Sequence, residues 1–369
     1  MLVAATVVSA DHERLRRRWK LEGGVPPLAG QKVPPSAGRR SAQELEQLPT
    51  HWRKERYRLL ADAETGCAVG DDPSYAGFVL VYDWQTRKEI WRSQWGSQIF
   101  TPSGLCFADG LMYVNDMEGA HIFAIDMQRE PGRIVKRISH PYLNDLHSLA
   151  RTRRGLLAAS SGTDLVIEID LEGRLLFEWW AAEHGYTMTP AGVERSSGRG
   201  NEHRDIYYHT RYQSTHVNTA AVRDASERYI LALLFQQGQL VQIDRHADEQ
   251  QNTEVILEGL LRPHTLEQIP GGWLISNSVG QELLVLDDAL RIAGHIEYAG
   301  GWIQDCTRLP DGRILLNDVD QHQIVEFSGT PPAIAHVIPY GENWRMGELC
   351  MMPPAMEEAF LQTIRAHRA

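Results

Sequence analysis

Short alternations of apolar and polar residues recur along the chain and predict β-strands. The stretches HIFAID, LVIEID and QIVEFS alternate with a period of two, as strands with one buried face do. Between such strands lie ADG, RRG, PGG and PDG, in which glycine supplies the positive φ that tight hairpin turns need. No helical period is convincing until AMEEAFLQTIRAHR near the C-terminus. The pattern therefore predicts an all-β fold with a short C-terminal helix.

The predicted strands are grouped into a repeated unit. Each unit reads as a polar residue, a strand, a turn, an apolar strand, a turn and a strand that ends in Asp or Ser, and a further strand follows. Five complete copies begin at Thr101, Leu146, Thr215, Pro263 and Ile303. Units of about 40–50 residues with four short strands are typical of β-propeller blades.

A sixth blade is predicted from the two ends of the repeat array. GFVLVYDWQTRKEIWRSQ (residues 77–94) resembles the outer half of a blade, and RMGELCMMP (residues 345–353) resembles an innermost strand. Joining them closes the ring and removes open sheet edges, which invite aggregation. We therefore predict a six-bladed β-propeller whose last blade is closed by N-terminal strands. Seven blades result if RYRLLA (residues 56–61) begins a blade of its own.

The repeat also defines the domain organisation. Residues 1–55 contain the Pro/Gly-rich stretch VPPLAGQKVPPSAGRR and are predicted to wrap the surface or to be partly disordered. Residues 56–353 are assigned to the propeller domain, and residues 354–369 to the C-terminal helix. One unit is longer than the others because it holds an insertion at residues 181–214. Long loops in compact domains are often lids or binding loops, so we predict a lid.

Composition narrows the classes of partner. The formal net charge of −11 argues against a nucleic-acid partner, which normally requires a basic face. No polybasic segment lies beside an amphipathic helix, so no membrane partner is predicted. The N-terminal apolar run is too short to span a bilayer and lacks a signal peptide's basic residues, so the expected location is cytoplasmic. Cys106, Cys306 and Cys350 lack metal-site or disulfide spacing and are predicted to be buried core residues.

The polar residue that begins each unit should face the central channel, because the innermost strand of every blade runs beside it. The sequence places His147, His216 and His264 at this position in three consecutive blades. The ring is completed by Ser103, by Gln304 or Asp305, and by Gly347 or Glu348. We expect these side chains to converge at one face of the propeller.

Three neutral imidazoles around one point can bind a transition metal ion such as Fe, Cu or Zn. His147, His216 and His264 are therefore the predicted metal ligands, and no organic cofactor is indicated. Asp305 or Glu348 would be a fourth ligand, a carboxylate that orients an imidazole, or a general base. Asp145 is a further orienting candidate. Without a metal, the same histidines could act as general acids and bases or as a nucleophile.

The insertion is aromatic and basic in an acidic protein, which suggests contact with an anionic small-molecule substrate. Arg211 precedes the His216 anchor most closely and is predicted to be a catalytic anion clamp. Trp302 lies just before the Gln304 anchor and is expected to line the pocket. The predicted substrate-binding residues are Arg204, His209, Tyr212, Ser103, Gln304 and Trp302.

Three phrases of the chain resemble a known group of propellers. They are HSLARTRRGLLAASSGTDLVIEIDLEGRLLFEWWAAEHG, THVNTAAV and WIQDCTRLPDGRILLNDVDQHQIVEF. They resemble the arylsulfotransferase-like propellers and, more loosely, NHL-type propellers, over residues 77–353. The resemblance implies a propeller fold. It also implies sulfuryl transfer through an axial histidine nucleophile with the help of arginine.

Three functional hypotheses follow. The leading one is a metal-dependent enzyme that acts on a small molecule at the central channel, with oxidative or lyase chemistry favoured over hydrolysis. The second is metal-free group transfer of the arylsulfotransferase type by an axial histidine. The third is a non-catalytic propeller that binds a ligand or a protein. The sequence gives no indication of the oligomeric state.

Overall fold

The blades of the protein form a closed ring of six β-sheets. The computed structural model describes residues 1–13, 76–204, 206, 208–248 and 251–366. These residues form six antiparallel four-stranded sheets and one α-helix, α1 (Pro354–Ala366). The predicted all-β class, the six blades and the C-terminal helix are confirmed.

Each of the first five blades uses four consecutive strands, of which the first is innermost. Blade 1 contains β4 (Pro102–Ala108), β5 (Leu111–Asp116), β6 (His121–Asp126) and β7 (Arg133–Ile138). Blade 2 contains β8 (Leu146–Arg151), β9 (Leu156–Ser160), β10 (Leu165–Ile169) and β11 (Leu175–Trp180). Blade 3 contains β12 (Val217–Val222), β13 (Tyr229–Leu234), β14 (Gln239–Asp244) and β15 (Thr253–Leu257). Blade 4 contains β16 (Pro263–Ile269), β17 (Gly272–Asn277), β18 (Glu282–Asp287) and β19 (Ile292–Glu297). Blade 5 contains β20 (Ile303–Arg308), β21 (Ile314–Asp318), β22 (Gln323–Ser328) and β23 (Ala333–Pro339).

Blade 6 joins the two ends of the chain. Its strand order is β24 (Arg345–Met351), β1 (Leu2–Ser9), β2 (Ala76–Asp83) and β3 (Lys88–Arg92). The predicted closure by N-terminal strands is confirmed. However, residues 2–9 belong to the propeller and not to an N-terminal extension. LVAATVVS is buried along its whole length, and a strand buried on both faces reads as a continuous apolar run without alternation.

Several predicted features of the N-terminal region lie outside the described residues. They include the Pro/Gly-rich stretch, Cys67 and RYRLLA at residues 56–61. Of the other cysteines, Cys306 is buried, Cys106 and Cys350 are half-buried, and all three are free thiols. No helix in the described part of the chain is both long enough and apolar enough to cross a membrane.

The core lies between neighbouring blades and holds the innermost strands around the axis. Each of these strands, from β4 through β8, β12, β16 and β20 to β24, contacts the next, and β24 contacts β4. Apolar side chains of adjacent sheets interdigitate; for example, Ile122 of blade 1 packs in one cluster with Leu146 and Ile167 of blade 2. Helix α1 adds Met356 and Phe360 to the core between blades 6 and 1. This packing fixes the starts of the innermost strands, where the candidate site lies.

Some of the loops contain 3₁₀ turns of three or four residues. They lie at Gly96–Gln98, Ser161–Thr163, Ala181–His184 and Thr210–Tyr212. The last two fall within the insertion at residues 181–214. The buried Arg195 anchors this insertion, because its guanidinium donates to Asp164 Oδ2 at 2.6 Å and to the Gly162 carbonyl at 2.9 Å.

Candidate functional site

A cavity of about 260 Å³ opens at the face where the innermost strands begin. All six blades and the insertion contribute to its wall. The lining residues are Val8, Ser103, Met117, Glu118, Asn144, Asp145, His147, Tyr208, His209, Thr210, His216, Asn218, Phe235, His264, Thr265, Trp302, Gln304, Arg345, Gly347 and Glu348. The convergence of the predicted anchor residues at one mouth of the channel is therefore observed in the structure.

His147 is the second residue of β8 and projects into the cavity from blade 2. Its Nδ1 lies 3.0 Å from the Asp145 carbonyl oxygen and 3.0 Å from Ser161 Oγ. The Asp145 carboxylate is also near, with Oδ1 at 3.8 Å from the same nitrogen. A carboxylate beside Nδ1 orients an imidazole and stabilises its protonated form.

His216 reaches the same place by a different route. The second residue of β12 is Asn218, so Asn218 and not His216 is the equivalent of His147 in β8 and His264 in β16. His216 corresponds to the turn residues Asp145 and Arg262, and these three share positive φ values of 49°, 49° and 57°. The predicted equivalence of the three histidines in the repeat is therefore wrong by two positions for His216.

A buried carboxylate holds His216 in this uncommon backbone conformation. Asp164 accepts hydrogen bonds from the backbone N–H groups of Ser214, Thr215 and His216, at 2.7, 2.8 and 2.8 Å. The turn carries the imidazole to His147, and the centroids of the two rings are 4.5 Å apart. Burial lowers the pKa of His216 well below its usual value, and a charge on the neighbouring His147 would lower it further.

His264 faces the cavity from blade 4, beyond Phe235. The Phe235 ring lies 5.0 Å from the His216 ring and 5.2 Å from the His264 ring, between centroids. Trp302 also packs against His264 at 5.1 Å and lies 6.3 Å from Phe235, so the three rings are mutual neighbours. Burial lowers the pKa of His264 to about 3, so its imidazole is neutral at physiological pH.

The hydrogen bonds of the three imidazoles fix their tautomers. Ser161 Oγ donates its only hydrogen to the Val217 carbonyl, so Ser161 must accept from the Nδ1–H of His147. Ser278 Oγ likewise donates to the Ile303 carbonyl and accepts from the Nδ1–H of His264.

The third imidazole is held by an amide. Gln213 Nε2 donates to Asp145 Oδ2 at 2.8 Å and to the Tyr208 carbonyl at 2.7 Å. This orientation turns Gln213 Oε1 toward His216, so Oε1 accepts from the Nδ1–H of His216. All three imidazoles therefore carry a hydrogen on Nδ1. Each neutral ring keeps an acceptor lone pair on Nε2, which has no hydrogen-bond partner among the described residues.

Buried carboxyl groups lie near the part of the cavity wall formed by His147, His216 and His264, which we call the histidine wall. Glu348 lines the cavity, and its Oε2 accepts from the Leu105 N–H at 3.0 Å. Burial, reinforced by the nearby Asp305 carboxyl, raises the pKa of Glu348 well above its usual value. Burial also raises the pKa of Asp305 to about 7 and that of Glu267 to about 8. Burial therefore favours the protonated form of the Glu348 carboxyl group at the cavity.

The remaining predicted site residues divide into two groups. Ser103, Gln304, Trp302 and His209 line the cavity, as predicted. Asp305, Arg204, Arg211 and Tyr212 do not line it. Asp305 lies behind the wall, where it accepts from Thr265 Oγ1 at 2.5 Å.

The insertion residues outside the cavity wall have other surroundings. Arg204 pairs with Glu202 at 2.6 Å and donates to Ser139 Oγ at 3.1 Å. Arg211 is exposed at the surface, and Tyr212 packs beside His209 with a centroid distance of 6.5 Å. The insertion contributes Tyr208, His209 and Thr210 to the cavity wall, and its action as a lid stays a prediction.

The sequence analysis missed several residues that shape the site. Ser161 and Ser278 each follow their histidine by 14 residues, and this repeated spacing was a usable signal. Phe235, Gln213 and Arg345 had no comparable signal. Gln213 lies in the insertion, and Arg345 reaches Gln304 Oε1 from blade 6 at 2.7 Å.

The donor set has the chemistry of a metal site but not its arrangement. Neutral imidazoles whose Nδ1–H is held by a protein acceptor are typical metal ligands. However, the described part of the chain holds no group of three His, Cys, Asp or Glu side chains placed to bind a metal ion. The Phe235 ring packs against both His216 and His264. The three-histidine metal centre stays a prediction.

Comparison with known proteins shows the fold of the chain and not its family. No family model matches the chain, and no curated protein matches it. The arylsulfotransferase-like resemblance therefore gains no support. A Bacteroides uniformis structure, provisionally assigned as a 6-phosphogluconolactonase, is 16% identical with a TM-score of 0.51, over 72% of this chain and 79% of that one.

Two further structures are similar in fold. A nidogen–laminin complex is 10% identical with a TM-score of 0.54, over 74% of this chain and 94% of that one. A streptogramin B lyase aligns at 13% identity with a TM-score of 0.43, over 65% of this chain and 83% of that one. At these identities, the similarities extend to the fold alone. By its fold, the protein is a six-bladed β-propeller.

Proposed function

We propose that the protein is an enzyme that transforms a small molecule in the cavity by general acid–base catalysis. One observation carries the proposal. His147 faces the cavity, and its Nδ1 lies 3.0 Å from both the Asp145 carbonyl oxygen and Ser161 Oγ, which leaves Nε2 for an occupant. These acceptors hold a hydrogen on Nδ1, and the Asp145 carboxylate, with Oδ1 at 3.8 Å from Nδ1, stabilises the imidazolium that forms when Nε2 takes a proton. His147 is thus the general base.

Glu348 supplies the matching acid. It lines the same cavity from blade 6, and burial raises the pKa of its carboxyl group well above the usual value, which favours the protonated form that an acid needs. A base and an acid at one substrate suit a lyase reaction. His147 Nε2 takes a proton from a substrate carbon, and the electron pair of that C–H bond forms a double bond. The bond to the leaving group breaks, and this group departs with the proton of Glu348. The two side chains return to their starting states by exchanging protons with water.

His216 and His264 have a different role in this proposal. Their low pKa values make them poor bases, so they stay neutral and accept hydrogen bonds from the substrate. Phe235 and Trp302 supply flat apolar faces beside them. These four side chains would orient the substrate, while His147 and Glu348 move its protons.

A second candidate is metal-dependent chemistry at the same face. It is favoured by the acceptors that hold the Nδ1–H groups of His147, His216 and His264, an arrangement common around metal-bound imidazoles. A bound metal ion would act as a Lewis acid that polarises an oxygen of the substrate. Metal analysis of protein purified without an affinity tag tests this candidate. One metal ion per chain, lost in His147→Ala, would favour it over the metal-free reaction.

A metabolite-depletion experiment tests the proposed function. Wild-type protein and the variants His147→Gln and Glu348→Gln are incubated with a cell metabolite extract, with and without a chelator, and small molecules are followed by mass spectrometry. We expect the wild type to consume at least one compound, and each variant to do so at least 100-fold more slowly, as loss of a general acid or base typically costs. His336→Gln, an exposed site on β23, is the matched control. A compound that the wild type binds without change would instead support a non-catalytic binding propeller.

A further inference from the structure

The histidine wall of the cavity has a single hydrogen-bonding character. His147, His216 and His264 each give their Nδ1–H to the protein, to Ser161 Oγ, Gln213 Oε1 and Ser278 Oγ respectively. What remains for an occupant is one Nε2 lone pair on each ring. A neutral imidazole in this tautomer accepts a hydrogen bond at Nε2 and cannot donate one there. The wall therefore presents three acceptors and no imidazole donor.

Protonation of the imidazoles, which would turn Nε2 from an acceptor into a donor, is unfavourable. His216 and His264 are only 5% and 8% exposed, and burial penalises a charged ring. The His147 and His216 rings are 4.5 Å apart, so a second charge beside a first would be repelled. An oxyanion placed on this wall would meet lone pairs in place of N–H donors. A hydroxyl group placed there would donate to them.

The groups next to the histidines favour a ring-shaped carbon skeleton. The Phe235 ring packs against both His216 and His264, and Trp302 packs against His264 at 5.1 Å. Flat aromatic faces bind the face of another ring, either aromatic or a sugar ring with axial C–H bonds. The cavity of about 260 Å³ admits a compound of one ring with its substituents.

We propose that the cavity selects an uncharged ring compound bearing several hydroxyl groups, which donate hydrogen bonds to Nε2 of His216 and His264 and leave Nε2 of His147 to take the proton from the substrate carbon. Compounds that would place an oxyanion on this wall are rejected. This substrate class rests on the proposed function and differs from the anionic substrate that the basic insertion suggests. Arg204 is already paired, and Arg211 does not line the cavity. Arg345 does line it, but its guanidinium donates to Gln304 Oε1 at 2.7 Å, and its charge further disfavours a protonated His264.

The test is a comparison of three probes built on one benzene ring. Phloroglucinol carries three hydroxyl groups, its trimethyl ether has none to donate, and trimesate carries three carboxylates. Binding to the wild-type protein is measured by isothermal titration calorimetry at mildly acidic pH, where phloroglucinol is neutral. We expect the ether to bind at least about tenfold more weakly than phloroglucinol, as the loss of one or more hydrogen bonds implies, and trimesate to bind more weakly still.

Variants connect the preference to the wall. His264→Phe keeps a ring of similar shape but removes one acceptor, so phloroglucinol should bind about tenfold more weakly while the ether is unaffected. His336→Phe on the exposed outer strand β23 is the matched control and should change neither affinity. If His264→Phe does not fold, the three probes on wild-type protein still decide the question.

Three results would overturn the proposal. Trimesate could bind as tightly as phloroglucinol, the ether could match the triol, or a chelator could abolish phloroglucinol binding, which would mean that a metal ion occupies the acceptors. Failure of the proposed function has a different signature. In that case, phloroglucinol still binds in preference to the other probes, but no compound in the metabolite extract is consumed.

Discussion

Replacement of Gln213 should remove the hydrogen bonds that position His216 and the Asp145 carboxylate beside His147. This side chain is fully buried and makes three hydrogen bonds, to His216 Nδ1, Asp145 Oδ2 and the Tyr208 carbonyl. In Gln213→Ala, these three groups lose their partner. Each buried group left without a hydrogen bond costs about 1–3 kcal/mol, and Asp145 can regain water at the cavity. We therefore expect a loss of about 4 kcal/mol in the free energy of unfolding.

The assay is urea unfolding followed by tryptophan fluorescence, with Gln236→Ala as the control. Gln236 is half-buried and donates to the Thr210 carbonyl at 3.1 Å, so its removal should cost about 1 kcal/mol or less. Both glutamines connect the insertion to the propeller, but Gln213 holds His216 and Asp145, whereas Gln236 binds a backbone carbonyl of the insertion. A loss for Gln213→Ala no greater than that for Gln236→Ala would refute the reasoning.

A second substitution at the same position tests the tautomers directly. Gln213→Glu keeps an oxygen toward His216 Nδ1 but adds a negative charge there, which favours the imidazolium. The pKa of His216 should rise toward its usual value in this variant. Nitrogen NMR of the wild-type protein should show the proton of His216 on Nδ1. A proton on Nε2 would contradict both the positioning role of Gln213 and the acceptor wall.

Three further predictions concern stability. Burial raises the folded-state pKa of Glu267 to about 8, above its usual value of 4.5. The carboxyl group therefore stabilises the fold below pH 4.5, and this contribution is lost as pH rises through 8. In Glu267→Gln, the free energy of unfolding should fall less steeply with rising pH. The pH-dependent difference in free energy of unfolding between this variant and the wild type should not exceed about 5 kcal/mol. Denaturant titrations below pH 4.5 and above pH 8 measure it. Arg195→Ala leaves Asp164 without its buried ionic partner and should lower the free energy of unfolding by about 3–5 kcal/mol. The control Arg204→Ala breaks a part-exposed pair and should lower it by at most about 1 kcal/mol. Equal losses for the two variants in thermal unfolding would contradict this prediction. Phe235→Ala should cost about 2 kcal/mol, below the usual 3–5 kcal/mol for a core Phe, because the ring borders the cavity. A loss within the usual range would show that the ring behaves as ordinary core.

Repetition is what made the fold predictable from the sequence. A blade cannot bury its apolar faces alone, so its strand pattern returns in every unit and can be compared with itself. β1 escaped prediction because it has no alternation: every residue from Leu2 to Ser9 is buried between two neighbouring strands, and its partners in β24 lie at the other end of the chain. Local periodicity carries no information about a pairing of that kind.

The site was predicted only in part, for a reason that His216 illustrates. The sequence suggested the correct cavity, because polar residues at strand starts meet at the channel. It misassigned the register of His216, because the insertion hides where β12 begins and the backbone turn at His216 depends on the distant Asp164. Gln213 and Phe235 were missed since their contacts are set by tertiary packing and leave no repeat in the sequence.

The split blade has a consequence for the order in which the ring and its cavity can form. β1 has β24 as its inner neighbour, and among the strands of the ring β24 is translated long after β1. The same late strand brings Arg345 and Glu348 to the cavity. A nascent chain that has not yet reached residue 345 therefore has an open ring, an unpaired edge on β1 and an incomplete cavity wall.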